Sequence, residues 1–253
     1  DLSFLIDLTG GGGSISVQKE KQLNSILGAK GAKSQYLSGY GMTELSAVVS
    51  MNHNNICKEQ SVGIPLPLVN VKVCIPGTDT ELGYNQEGEL VISSPGLMIA
   101  YFSNAAETDS IIRFAPDGVR WIHSGDLAKI DRDGFIYITG RIKRIYIVKY
   151  KDVAHKLFPQ RMEDFVTQIP GVDKCGVIMQ EDIEQCNIPV VFITSCGLSD
   201  NAALKDTVSK RIAKDLPRYY APKNIILLEK MPISSSQKID YRALERIAAQ
   251  QSQ

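Results

Sequence analysis

The spacing of hydrophobic positions changes twice along this chain, and the changes predict three regions. In residues 1–68 the pattern predicts a strand over 4–8, a turn of four glycines (Gly10 to Gly13), a helix and a second strand over 34–37. Ser16 is placed to cap the helix, and its apolar stripe consists of Leu23, Ile26 and Leu27. This strand, helix, strand order is typical of the end of a mostly parallel α/β layer.

Residues 69–142 consist of short alternating runs separated by turns. The runs read VNVKVCI, GELVISS, DLAKID and FIYIT, and Pro76-Gly77 and Asp133-Gly134 mark turns between them. This pattern predicts an antiparallel β subdomain.

The basic stretch RIKRIYIVKYK opens the third region, residues 143–253, whose pattern predicts a small α+β domain. A helix is expected over 162–169, and strands over VDKCGVIMQ and IPVVFITS. A further helix is marked at i+4 spacing, with Asp200 as its cap and Pro217 after its end; its apolar positions are Leu204, Val208, Ile212 and Leu216. The predicted fold is therefore α/β, then antiparallel β, then a small C-terminal α+β domain.

Composition narrows the class of protein further. The chain has 253 residues, 28 basic and 28 acidic side chains and 43% hydrophobic residues, which excludes a disordered or collagen-like protein. A net charge of zero argues against non-specific nucleic-acid binding. No apolar run is long enough for a membrane span, and the first residues lack the basic region of a signal peptide. The five scattered cysteines form no CxxC pair, which indicates a reducing cytoplasm, and each is expected to be a small core residue.

Two glycine-containing segments are candidates for nucleotide contact. The Gly10–Gly13 turn followed by Ser14 is either a flexible loop or a place where backbone approaches a flat ligand or a phosphate. The segment GYGMTE (39–44) is either a polar turn between strand and helix or a phosphate site. In the second interpretation, Thr43 donates to a phosphate oxygen and Glu44 holds Mg²⁺.

The third candidate is a pair of opposite charges on a predicted hairpin. If Asp133-Gly134 is a two-residue turn, counting outward places Asp126 directly opposite Arg141. An acceptor and a donor fork side by side suit a vicinal diol such as a ribose. The alternative is a simple cross-strand ion pair worth at most about 1 kcal/mol, and a longer turn would shift the register.

The fourth candidate is Lys238, in the segment MPISSSQKIDYRAL. The serines before it predict a flexible loop, where a lysine is either a solvated surface charge or a mobile cation brought to a phosphate.

Taken in order, these segments resemble the adenylate-forming superfamily of acyl- and aryl-CoA synthetases, luciferases and peptide-synthetase adenylation domains. Four motifs carry the resemblance, and GELVISSPGLMIAYFSN resembles the family's connecting segment. The motifs are GYGMTE (39–44), HSGD (123–126), GRIK (140–143) and P-x4-QK (232–238).

The resemblance implies a role for each candidate residue. Gly13 and Ser14 would border the adenine of ATP or AMP, and Gly39, Tyr40 and Gly41 would form the opposite wall. Thr43 would contact the α-phosphate, and Glu44 would serve Mg²⁺. Asp126 and Arg141 would bind the ribose hydroxyls, Lys238 would meet the developing adenylate, and Lys143 would be a hinge. Leu45, Ala47 and Val48 would border an apolar acyl pocket.

The implied activity is that of an ATP-dependent acid:thiol ligase, which joins a small carboxylic acid to AMP and then to coenzyme A. The family's upstream phosphate loop is not found, so the chain is expected to be the C-terminal half of a longer enzyme. This half is expected to be inactive alone. Asp152 stands where the family has a glycine in its lysine-glycine loop, and this loop has a few residues inserted. Gln237 stands where the family has a glycine before the lysine. A domain that loads a carrier protein and a non-catalytic nucleotide-binding module remain as alternatives.

Overall fold

The computed structural model describes residues 1–12, 15, 17–197, 201–235 and 238–251. The chain forms two compact units, Asp1–Lys143 and Arg144–Gln253. The predicted boundary between residues 68 and 69 stays a prediction. Among the described helices, none is long and apolar enough to cross a membrane.

The first unit contains nine strands and two helices among its described residues. In chain order they are β1 (Leu8–Gly10), α1 (Val17–Ala29), β2 (Tyr36–Met42), β3 (Ala47–Met51), β4 (Ile64–Pro65), β5 (Asn70–Cys74), β6 (Gly88–Ser93), α2 (Ala105–Ile111), β7 (Ile112–Phe114), β8 (Arg120–Ile130) and β9 (Ile136–Arg141).

These strands form two sheets with different pairing. The first sheet has the order β1-β2-β3-β4, and only the β1–β2 pair is parallel. The second has the order β5-β6-β8-β7, with β9 also paired to β8, and is antiparallel throughout. The long strand β8 therefore pairs with three others and organises this sheet.

The core of the first unit joins residues from both sheets. Leu45 and Val49, from the segment around β3, pack with Leu90 of β6, Ile122 of β8 and Ile136 of β9. All five are almost fully buried. Burial of such apolar side chains is the main favourable contribution to folding, and here it fixes β2 and β3 against β8 and β9.

The second unit is a three-stranded sheet with helices and a separate two-stranded hairpin. Its elements are β10 (Tyr146–Tyr150), β11 (Val153–Leu157), α3 (Pro159–Val166), β12 (Val172–Asp182), β13 (Cys186–Ser195), α4 (Asn201–Asp215), β14 (Asn224–Leu227) and α5 (Tyr241–Gln251). The sheet order is β12-β13-β14, and β10 pairs with β11.

Side chains that alternate along β12 and β13 bury both faces of this sheet. Val177 and Val191 belong to one core cluster with residues of α3 and α4. Ile178 and Phe192 belong to a second cluster with Leu244 of α5. This period of two is the one that the runs VDKCGVIMQ and IPVVFITS predict for strands.

The predicted order of α/β, antiparallel β and α+β is confirmed, with local corrections. The first strand is not residues 4–8, because only residues 8–10 pair with β2, and Phe4 and Ile6 are 71% and 80% exposed. Ile26 of α1 is also exposed, so the predicted stripe is wrong at that position. The predicted strand over 34–37 is β2, and it runs on to Met42. The caps Ser16 and Asp200 lie outside the described residues.

The five cysteines do not share one environment. Cys74 and Cys175 are buried, as expected for core residues, whereas Cys57, Cys186 and Cys196 are exposed. The core prediction is therefore wrong for three of the five. Cys186 begins β13 at the tip of its hairpin with β12, opposite Asp182, where chain reversal leaves little to cover it.

Candidate functional site

The carboxyl end of β1 lies beside the middle of the parallel strand β2 in the first unit. Gly10, the last residue of β1, pairs with Ser38 of β2. A methyl group added at Gly11 would lie 3.0 Å from the carbonyl oxygen of Gly39. The first glycines of the predicted loop thus adjoin the predicted adenine wall, at the edge of an α/β sheet where ligands commonly bind. Gly13 and Ser14 lie outside the described residues.

The predicted wall, Gly39, Tyr40 and Gly41, belongs to strand β2 itself. The structure therefore corrects the alternative that GYGMTE is a turn leading to a helix. The β2–β3 ladder shifts register between Tyr40 and Gly41. A methyl group at Gly41 would collide with the carbonyl oxygen of Ala47, so only glycine fits at this position.

Asp126 is a buried carboxylate with a donor on each oxygen. Its Oδ1 lies 2.7 Å from Nε of Arg141, and its Oδ2 accepts a 2.7 Å hydrogen bond from the hydroxyl of Tyr40. Asp126 is 3% exposed, whereas the Arg141 side chain is 66% exposed. Burial, followed by the Asp126 charge, raises the pKa of Tyr40, which keeps this hydroxyl protonated as a donor. The three side chains connect the motifs GYGMTE, HSGD and GRIK.

Asp126 faces Arg141 as predicted, but by a different route. Ile130 pairs with Ile136, so the turn is five residues long rather than two. A longer turn alone would move Arg141 out of register. A β-bulge corrects it, because Leu127 pairs with Gly140 while Ala128 pairs with Ile138. The extra residue is Thr139, whose hydroxyl is buried without a hydrogen-bond partner among the described atoms.

Thr43 and Glu44 lie in a single 3₁₀ turn, Thr43–Leu45, immediately after β2. Thr43 is exposed and Glu44 is half-buried. The hydroxyl of Tyr101 donates a 2.6 Å hydrogen bond to Oε1 of Glu44, and the backbone N–H of Met98 donates to its carbonyl oxygen. Burial first, and then the contact with Glu44, raises the pKa of Tyr101 to about 12.

The donor set at Glu44 fits Mg²⁺ held largely by substrate phosphates. The described residues contain no group of three or more histidines, cysteines or carboxylates that could hold a metal alone. A single carboxylate with one oxygen fixed by Tyr101 is a donor set of the kind that Mg²⁺ shares with phosphate oxygens and water.

The residues after Glu44 do not all line one surface. Leu45 is 3% exposed and packs in the core, whereas Val48 is 49% exposed. Leu45 is therefore a packing residue, and the predicted acyl pocket has at most Ala47 and Val48 from this set on its surface.

Lys143 ends the first unit and Lys238 lies in the second. The Lys143 side chain is 88% exposed, with its Nζ 3.8 Å from Oε1 of Glu107. Lys238 is also exposed. Its loop is closed by the backbone hydrogen bond from Ser234 N to Lys238 O, at 2.7 Å, and by a bridge between Ile233 and Ile239. The roles implied for both lysines stay predictions.

Asp152, which the resemblance places at a glycine position, lies in a two-residue turn between β10 and β11. Tyr150 pairs with Val153, and the two turn residues, Lys151 and Asp152, have φ values of 50° and 62°. Positive φ at both positions is the geometry of a type I′ hairpin turn, in which aspartate and glycine are both common. The backbone conformation of this turn therefore accepts either glycine or aspartate at residue 152.

Sequence reasoning missed three contacts: Tyr40 with Asp126, Tyr101 with Glu44, and Glu89 with His123. Each joins residues more than 30 positions apart. The aromatic in GYGMTE and the carboxylate in GELVISS were visible in the sequence, but no local pattern shows which distant groups they contact.

Comparison with known proteins gives two family matches in succession along the chain. Residues 1–102 match the AMP-binding enzyme family, and residues 161–238 match the AMP-binding enzyme C-terminal domain. The long-chain-fatty-acid–CoA ligase of Salmonella typhimurium is 31% identical over 83% of this chain and 36% of its own length. The 4-coumarate–CoA ligase-like 1 of Arabidopsis thaliana is 31% identical over 88% of this chain and 40% of its own length. The chain thus spans well under half of these relatives.

Solved structures share the fold. ATP-bound MatB from Rhodopseudomonas palustris has a TM-score of 0.77 at 22% identity, covering 94% of this chain and 44% of that one. The o-succinylbenzoate CoA synthetase of Bacillus subtilis, in complex with an acyl-adenylate intermediate, has a TM-score of 0.76 at 22% identity, covering 95% and 46%. The two successive family matches, over residues 1–102 and 161–238, show that the chain belongs to the AMP-binding enzyme family, the adenylate-forming superfamily that its motifs resemble.

Proposed function

We propose that this chain carries the nucleotide-binding part of an AMP-forming acid:thiol ligase. The complete reaction joins a carboxylic acid to the α-phosphate of ATP, releases pyrophosphate, and passes the acyl group to coenzyme A. The observation that carries the proposal is the cluster of Tyr40, Asp126 and Arg141, because it unites three motifs in one polar site. The relatives, a long-chain-fatty-acid–CoA ligase and a 4-coumarate–CoA ligase-like protein, support the reaction class.

The hydrogen-bonding capacity of the cluster suits a ribose diol. Asp126 is held as an acceptor by its contacts with Tyr40 and Arg141, and each carboxylate oxygen retains one further acceptor position. Arg141 approaches Asp126 through Nε, and its guanidinium carries further N–H groups that can donate to a ligand. The two adjacent hydroxyls of a ribose can donate to Asp126 and accept from Arg141, so this pair of side chains can hydrogen-bond both hydroxyls.

The phosphate end of the site is assigned to Thr43 and Glu44. Thr43 would donate to the α-phosphate, and Glu44 would hold Mg²⁺, which supplies positive charge for the phosphate oxygens. The positive charge of Lys238 would stabilise the negative charge on the phosphate of the adenylate. Transfer to a carrier protein instead of coenzyme A remains the alternative for the second step.

The ribose assignment is tested by nucleotide binding to the 253-residue chain. We expect AMP to bind more tightly than 2′,3′-dideoxy-AMP, and Asp126→Asn to remove that difference. Asp126→Asn should weaken AMP binding about 10- to 100-fold, the range for hydrogen bonds to a charged group. Asp133→Asn is the matched control, because Asp133 is an exposed carboxylate at the tip of the same hairpin.

Calorimetric titration of the unmodified chain and the two variants with each nucleotide measures these differences. Equal affinity for both nucleotides in the unmodified chain would reject the ribose site. A lower melting temperature in Asp126→Asn with unchanged nucleotide preference would show that the cluster is only a cross-strand ion pair. Pyrophosphate exchange with fatty and aromatic acids, measured on the chain within its longer protein, tests the ligase reaction itself.

A further inference from the structure

A buried pair of side chains lies next to Asp126 and has no role in the nucleotide contacts described above. Glu89 of β6 and His123 of β8 are 5% and 4% exposed. Nδ1 of His123 lies 3.0 Å from Oε2 of Glu89, and Nε2 lies 3.1 Å from Oδ1 of Asp79, which is exposed. Because an ionised glutamate only accepts hydrogen bonds, the Nδ1 atom carries the proton in this contact.

The pair lies where the β6–β8 ladder is interrupted. Val91 pairs with His123 and Glu89 pairs with Leu127, so three residues of β8 stand opposite a single residue, Leu90. Those three residues are Ser124, Gly125 and Asp126. A segment without regular ladder partners needs other groups to accept its N–H donors.

Side chains accept the N–H groups of this segment. The Gly125 N–H donates to Oε1 of Glu89 at 3.1 Å, and the Asp126 N–H donates to the Ser124 hydroxyl at 3.1 Å. Gly125 has a φ of +70°, a left-handed conformation that favours glycine. The orientation of Asp126 therefore depends on a turn that Glu89 holds.

Glu89 is held in turn by three donors. Oε2 accepts from His123 and from the Gly77 N–H, and Oε1 accepts from Gly125. Burial raises the pKa of the Glu89 carboxyl, but these hydrogen bonds outweigh burial and the pKa lies below its usual value. The carboxylate is thus ionised at neutral pH and remains an acceptor for Gly125.

We propose that Glu89 and His123 are positioning residues for nucleotide binding: His123 fixes the Glu89 carboxylate, and Glu89 fixes the Gly125 turn that presents Asp126 to the ribose. This inference rests on the proposed ribose site and adds two residues that do not contact the ligand. A purely structural role would affect all nucleotides alike, whereas a positioning role acts on ribose recognition.

Two substitutions at His123 separate the two ring nitrogens. The amide nitrogen of asparagine occupies roughly the place of Nδ1, so His123→Asn retains a donor for Glu89. The amide nitrogen of glutamine occupies roughly the place of Nε2, so His123→Gln retains a donor only toward Asp79. Asp79→Asn is a control, because it alters the exposed contact of the ring without touching Glu89 or Gly125.

Two measurements are made on the 253-residue chain and its variants. One is the ratio of AMP to 2′,3′-dideoxy-AMP affinity, and the other is the exchange rate of the Gly125 amide with deuterium. We expect His123→Gln to reduce the affinity ratio about tenfold, the scale of one hydrogen bond to a charged group, and to accelerate Gly125 exchange. His123→Asn should restore most of both values, and Asp79→Asn should change the ratio less than about twofold.

Deuterium exchange of the Gly125 amide tests the positioning role independently of the proposed ribose site. The positioning role is rejected if His123→Gln leaves Gly125 exchange unchanged, or if the Asn and Gln variants are affected equally, because the ring would then serve only packing. If Gly125 exchange responds as expected but the unmodified chain does not distinguish the two nucleotides, the ribose assignment fails while the control of the turn stands. Melting temperatures identify any variant that is merely unfolded.

Discussion

Gly41 has the closest backbone contact of the candidate site. A Cβ atom there would collide with the carbonyl oxygen of Ala47 and would lie 2.9 Å from Cα of Val48. We expect Gly41→Ala to lower the free energy of unfolding by more than about 4 kcal/mol, since neither strand can move without breaking the ladder. Gly28→Ala, in the helix α1 with open space around it, should instead raise it by up to about 1 kcal/mol. Urea denaturation measures both; similar effects at the two glycines would contradict this contact.

The hydrogen bond from Tyr101 to Glu44 predicts a pH-dependent contribution to stability. The pKa of Tyr101 is raised to about 12 in the folded chain from an ordinary value of 10.0. A raised tyrosine pKa means that the folded state favours the protonated hydroxyl. Its contribution is therefore complete below pH 10 and is lost as the pH rises through 12.

We expect Tyr101→Phe to lower the free energy of unfolding by about 1 kcal/mol below pH 10, with the difference from the unmodified chain shrinking above it. Tyr84→Phe is the control, because Tyr84 is 65% exposed, and it should have an effect below about 0.5 kcal/mol. Denaturation curves from pH 8 to 12 measure the difference. A constant difference across that range would show that the hydroxyl of Tyr101 does not donate to Glu44.

At the scale of elements, the sequence predicted which segments form strands and which form helices better than it predicted how the strands pair. The alternating runs predicted β12 and β13, and the i+4 pattern predicted α4, because each spacing follows from backbone geometry. The pairing of Asp126 with Arg141 was predicted through a two-residue turn that does not exist. The longer turn and the bulge at Thr139 shift the register in opposite directions, and neither is encoded in the period-two pattern.

The β10–β11 turn predicts how the departure at Asp152 affects stability. Lys151 and Asp152 both have positive φ, which costs a residue with a side chain roughly 1–2 kcal/mol relative to glycine. Replacement by glycine removes this cost, but the greater conformational freedom of glycine in the unfolded chain offsets part of the stabilisation. We therefore expect Asp152→Gly to raise the free energy of unfolding by about 0.5 kcal/mol.

Asp152→Val should lower the free energy of unfolding by about 1–2 kcal/mol, because a β-branched side chain fits the left-handed conformation of residue 152 poorly. Lys149→Ala controls for the exposed ion pair between Lys149 and Asp152. This variant should change the free energy of unfolding by less than about 1 kcal/mol. Chemical denaturation of the three variants decides the point. Stabilisation by valine would show that the turn adopts another conformation in solution.

At the scale of the whole molecule, each unit encloses its own hydrophobic core. Two cysteines report on these cores separately. Cys74 is fully buried in the first unit, and Cys175 is 3% exposed in the second. Burial raises the pKa of both thiols, so neither reacts readily until its own unit unfolds. Cys57 is exposed and serves as an internal standard for the labelling reaction.

We expect the two units to unfold as separate cooperative transitions. Leu244 of α5 is fully buried against the sheet of the second unit, and Leu90 of β6 is fully buried in the first. Truncation of either leucine to alanine should cost about 2–5 kcal/mol, from lost apolar contact and the cavity left behind. Leu244→Ala should then lower the urea concentration at which Cys175 becomes labelled and leave that of Cys74 unchanged, and Leu90→Ala should do the reverse. Mass spectrometry of the labelled peptides measures both midpoints in one sample. If either variant shifts both midpoints equally, the chain unfolds as one cooperative body and the division at residues 143 and 144 has no thermodynamic meaning.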